Sequence, residues 1–194
     1  QTEGFLFLMQ QITRYYRYVN LLSLDVALGA IISAMFLTKV FEVDIRFQGL
    51  LCLGLTVWLI YTMDHLVDAK KLKGQASTQR HRFHQQNFEV ILVMAILILL
   101  TIIPLLFFIY KSVLSMGIGL GGLVFVYFVV QRRLGFLKEL LGAVLYCVGV
   151  MLPVIALSEL SFNSLIEVPS VLFFNTALIN LVLFSWFDRD KDKL

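Results

Sequence analysis

Charge is what this sequence has least of: 15% of its 194 residues are Asp, Glu, Lys or Arg, where a soluble domain has about 25%. With a hydrophobic share of 59% and a mean hydropathy of +0.86, a water-soluble globular fold is excluded. Cysteine is nearly as scarce. Cys52 and Cys147 both lie inside apolar runs, which argues against a disulfide framework or a metal knot and for two buried thiols. Only 3 prolines interrupt the chain. The short apolar patch from Gly4 to Met9 has no basic region before it and no small-residue cleavage site after it, so it is not a signal peptide.

What is present is a series of apolar runs of bilayer length: Val19–Thr38, Phe47–Met63, Phe88–Tyr110, Ser112–Val130, Leu140–Leu157 and Val168–Phe187. They predict an all-α, polytopic membrane bundle of six transmembrane helices forming a single domain over residues 1–194. The lipid bilayer is its partner, and nucleic acid is not. Residues 1–18 mix Phe5, Leu6, Phe7, Leu8, Met9 and Ile12 with Arg14, Arg17 and the tyrosines 15, 16 and 18, the pattern of an interfacial amphipathic helix. On alternate sides of the six runs, all but Lys39, Arg46 and Lys111 of the 16 Lys and Arg fall on one side. By the positive-inside rule that side, with both termini, is cytoplasmic. The long polar connection 64–87 lies there too, and in so economical a chain it is where function is expected. A bacterial inner membrane is the expected location.

Two Asp-x-x-x-Asp pairs end the second and sixth runs, Asp64 with Asp68 and Asp188 with Asp192. Residues four apart share one helix face about 6 Å from each other, so each pair can hold a hard cation between its oxygens. The two runs have the same parity, which brings both pairs to the cytoplasmic face. Mg²⁺ suits them, because it takes oxygen ligands and completes its shell with water and substrate phosphate. The cations Lys70, Arg80 and Arg82 follow the first pair and would turn the site toward anions. Ordinary helix-boundary charges are the alternative reading of these acids. His81 and His84, three apart, are read either as interfacial hydrogen bonders or as the start of a metal site.

At these residues, Ile60-Tyr-Thr-Met-Asp64-His-Leu-Val-Asp68 and Phe184-Ser-Trp-Phe-Asp188-Arg-Asp-Lys-Asp192, the chain resembles the UbiA family of intramembrane prenyltransferases. The resemblance implies transfer of an isoprenyl group from a Mg²⁺-bound isoprenyl diphosphate to an aromatic or other lipophilic acceptor inside a helical bundle open sideways to lipid. It implies Asp64, Asp68, Asp188 and Asp192 as metal ligands and catalytic residues, with Arg80 and Arg82 on the diphosphate. Ile60, Tyr61 and Phe184 stand where the family usually carries further Asn or Asp ligands. The family typically has nine helices, so the expectation is either an incomplete copy of a longer protein or a reduced branch closed by a partner. A catalytically degenerate subunit of a larger membrane complex is therefore the alternative function.

Other polar residues lie inside the runs. Asp25, about six residues into the first run and so roughly 9 Å deep, is either a functional ionisable group, as in a transporter, or a structural acid helped by Asn20 and Ser23. Asn175 and Asn180 either line the substrate cavity or join helices. Gly117-x-x-x-Gly121 reads as a close-packing face, and Pro104 and Pro153 as kinks that open space at depth.

Overall fold

The computed structural model describes residues 2–71, 79–135, 137–159 and 168–191, with several side chains near the start of α1 and most of those beyond residue 183 outside the description. Every described element is helical: α1 (Thr2–Leu21), α2 (Leu24–Val40), α3 (Phe47–Lys71), α4 (Gln79–Gln86), α5 (Phe88–Leu105), α6 (Lys111–Val130), α7 (Leu137–Leu157) and α8 (Val168–Lys191). Among the described residues, α3, α5, α6 and α7 are long and apolar enough to cross a membrane. The second half of α1 with α2 makes a fifth span if that bent pair is counted as one, and the apolar stretch Val168–Leu183 of α8 is shorter.

The first expected run is not one helix. It breaks at Leu22 and Ser23, and the two halves meet at 80°. Ser23 adopts the left-handed conformation at φ 54° and is buried, although Ser is no glycine. The strain is held in place from outside: the buried indole of Trp58 on α3 donates from Nε1 to the freed carbonyl of Leu22 at 2.8 Å. The interfacial helix expected over 1–18 therefore extends to Leu21 and leaves the bundle nearly at a right angle.

The core lies where α2, α3 and α7 meet. α2 contributes a stripe of small side chains, with Ala30 and Ala34, continued by Leu37, against Leu50 and Val57 of α3 and Val150 and Val154 of α7, and Ala27 against Trp58 of α3 and Ala95 of α5. Without a hydrophobic drive between helices in lipid, close contact of small residues is what holds such a bundle together. Gly54 shows how close: a Cβ there would sit 2.4 Å from Cδ1 of Ile31. α5 packs on the outer side of α3 through Ala95, and α7 carries α6 and α8. None of the residues of α6 is buried. Pro104 lies in the last turn of α5, where the helix gives way to a 3₁₀ turn at Leu106–Phe108, so it ends that helix instead of kinking it at depth.

The described parts of the connection 64–87 are largely helical as well. α3 continues through Asp64 and Asp68 because Thr62, Leu66 and Ala69 recur at helical spacing and are buried. α4 then docks on that last part of α3, with Gln85 Nε2 donating to the Ala69 carbonyl at 2.9 Å.

Candidate functional site

Along α3 the residues Gly49, Leu53, Ile60 and Asp64, and along α6 the residues Leu114, Gly117, Gly121, Val124 and Phe128, form two facing stripes. With α7 between them they enclose a cavity of about 360 Å³, within the range of about 300–1,000 Å³ usual for ligand sites. Its walls are mostly apolar. Gly117 and Gly121 are not the close-packing face expected of them: a Cβ on either would meet nothing within 4 Å, so their smallness makes room. Pro153 of α7 lines the same space.

One end of the cavity is polar. Asp64 lines it with Tyr61, Tyr127 and Gln131, and Gln131 Nε2 donates to Asp64 Oδ1 at 3.3 Å. Tyr127 donates from its hydroxyl to the Lys138 carbonyl at 3.1 Å, and Gly142 leaves space for that hydroxyl, since a Cβ there would lie 3.2 Å from it. Next to that contact, Glu139 is buried, its Oε1 3.7 Å from Lys138 Nζ. Sequence reasoning missed Glu139. The signal was there, because Glu139, Ala143, Cys147, Val150 and Val154 share the buried stripe of α7.

Behind this mouth lies a second polar group. Arg80 of α4 donates from Nη2 to Asn20 Oδ1 at 2.9 Å, and Asn20 Nδ2 donates to Asp25 Oδ2 at 2.8 Å. Asp25 is thus not six residues deep in a continuous helix. The break restarts the chain at Leu24, which puts Asp25 in the first turn of α2, where the helix dipole favours an anion and the Val26 N–H donates to its Oδ1 at 3.0 Å. Asp25 thus has Asn20 and the Val26 N–H as its partners.

His84 is buried, its Nδ1 3.0 Å from the Arg80 carbonyl, and its ring centroid is 5.1 Å from that of His65 on α3. The histidine that faces His84 across the helix packing is His65, a residue the sequence did not single out. Burial, together with the nearby charges of Arg80 and His81, holds His84 below the ordinary imidazole value, against the opposing pull of its backbone hydrogen bond. His65 Nε2 is buried without a hydrogen-bond partner.

Of the described candidates, Asp64 lines the cavity, while Asp68 is half-buried further along α3 and Asp25 and Arg80 are joined to each other through Asn20. Arg82 and Lys70 are exposed, and Lys70 borders a shallow depression with Ala69, Gln85 and Phe88. Asn180 does not line the cavity. The inner face of α8 carries Phe173, Ala177 and Leu181, four apart, and this turns Asn175 and Asn180 outward, both exposed. The second acid pair, Asp188 and Asp192, lies outside the described side chains. Among the described residues no three His, Cys, Asp or Glu stand close enough to hold a metal together. Comparison with family models, with curated proteins and with solved structures returns no match.

Proposed function

We propose that this chain is a UbiA-like membrane prenyltransferase, moving an isoprenyl group from a Mg²⁺-bound isoprenyl diphosphate to a lipophilic, aromatic acceptor. The observation that carries the reading is an apolar cavity closed at one end by Asp64, two tyrosines and Gln131. Asp64 and Asp68 are four apart on α3 and only half-buried, the donor set Mg²⁺ takes from a protein when water and phosphate supply the rest. Asp188 and Asp192 would complete it from the other pair. Bound there, Mg²⁺ would supply the charge neutralisation that lets a diphosphate sit among carboxylates and leave as an anion.

The protein's own part is positioning and exclusion of water. Arg80, held by Asn20, offers its guanidinium to the diphosphate, and the exposed Arg82 and Lys70 raise the positive potential at the same end. Tyr61, Tyr127 and Tyr146 line the cavity, and aromatic faces stabilise a developing allylic cation. The apolar walls keep water from capturing that cation before the acceptor does. The excess of Lys and Arg on the Asp64 side supports cytoplasmic termini in a bacterial inner membrane.

The test is binding of geranylgeranyl diphosphate to purified protein in lipid nanodiscs, titrated with and without Mg²⁺ and repeated on Asp68→Asn. Metal-dependent binding that the variant loses is the expected result; no binding at millimolar Mg²⁺ refutes the reading. A second reading, a non-catalytic subunit of a membrane complex, is favoured by Asn180, which faces away from the bundle on an apolar helix and calls for a polar partner, whereas Asn175 donates to the Val171 carbonyl of its own helix. Copurification as a stoichiometric complex would support it, and a monodisperse monomer would count against it.

A further inference from the structure

The cavity has a second polar end, opposite in charge to the first. Eighteen residues before Asp64, roughly 27 Å away at 1.5 Å per residue along α3, Arg46 lines the same space. Its guanidinium lies 4.4 Å from the centroid of the Tyr110 ring, and Nη1 donates to the Phe108 carbonyl at 3.0 Å. No described carboxylate forms an ion pair with it. A guanidinium carries five N–H donors in a planar fork, so donors remain beyond the bond to Phe108.

We propose that this end binds the anionic head of a single-chain amphiphile, a fatty-acid carboxylate or a lysolipid phosphate, with its tail lying in the cavity toward Asp64. The fork geometry of a guanidinium matches both heads, and its charge is permanent. The orientation follows from the two ends, since Asp64 repels an anion and Arg46 attracts one. A tail gains little by leaving lipid for an equally apolar cavity, so the contact at Arg46 carries the selectivity. Gly117 and Gly121 leave the space that the tail needs. This ligand has no diphosphate and its head touches neither acid pair, so its recognition at Arg46 is independent of prenyl transfer although its tail shares the cavity.

The probe is cis-parinarate, read by energy transfer from Trp58 and Trp186 in nanodiscs of zwitterionic lipid, with its methyl ester as the uncharged control. Arg46→Gln should weaken parinarate at least about tenfold, the ~1.4 kcal/mol at the lower end for a hydrogen bond to a charged group, and leave the ester unchanged. Gly121→Leu, which fills the cavity without meeting a neighbour at Cβ, should weaken both probes with the thermal midpoint unchanged. Palmitate and lysophosphatidate should displace parinarate, and inorganic phosphate should not. Equal parinarate affinity in Arg46→Gln, no effect of Gly121→Leu on either probe, or displacement by phosphate alone overturns the proposal. Asp68→Asn should leave parinarate binding intact, which separates this site from the diphosphate site.

Discussion

Asn20 holds two charged side chains at once, and replacing it with alanine tests whether the break between α1 and α2 positions Arg80. The variant removes the bond from Arg80 Nη2 at 2.9 Å and the bond to Asp25 Oδ2 at 2.8 Å. A hydrogen bond to a charged group contributes about 1.5–3 kcal/mol, and because these groups are only part-buried the lower end applies. Asp25 keeps its Val26 N–H and the end of the helix dipole, so the loss falls mainly on Arg80. The expected cost to the docking of α4 is therefore about 1.5 kcal/mol, a roughly tenfold rise in its open population. Hydrogen exchange of residues 79–86 in nanodiscs reads that opening. A cycle with Arg80→Ala isolates the pair from the other contacts of α4, such as Gln85 to the Ala69 carbonyl. The double variant should cost less than the sum of the singles by about 1.5 kcal/mol, and additivity within about 0.5 kcal/mol would refute the reasoning.

Two further perturbations probe the packing. Gly54→Ala forces a Cβ to within 2.4 Å of Ile31 Cδ1 and 2.8 Å of its Cγ1, so it should destabilise the bundle by about 1–3 kcal/mol, and Ile31→Ala, which deletes both carbons, should rescue part of that loss. Chemical denaturation of the single and double variants checks both signs. For His84, the folded value is lowered by burial and by the neighbouring Arg80 guanidinium, so the undocked state binds more protons below the ordinary value of 6.5. Docking of α4 should therefore weaken as pH falls through about 6.5, and His84→Gln should flatten that dependence over about pH 5–8, measured by hydrogen exchange.

The legible part of the candidate site was the local part. Asp64 and Asp68 share a helix because Thr62, Leu66 and Ala69 extend the apolar period of α3 past the membrane run. Asn20 was readable as a helper of Asp25, five residues on. What stayed hidden was long-range. Arg80 reaches Asn20 across 60 residues and Gln131 reaches Asp64 across 67, and no spacing rule joins such positions. The two roles of Asn180 stayed open because a uniformly apolar helix has no polar stripe to reveal its phase, whereas Phe173, Ala177 and Leu181 do so once α7 is beside them.

By itself, the sequence determined that this protein is built of apolar helices of membrane length, since this follows from composition and from periods of a few residues. Tertiary structure alone decided that the first run breaks at Ser23, because the indole of Trp58, 36 residues away, takes the Leu22 carbonyl that a continuous helix would have kept. It also decided that Gly117 and Gly121 open a cavity instead of closing a contact. A glycine permits either, and only the distance to the opposing helix selects between them.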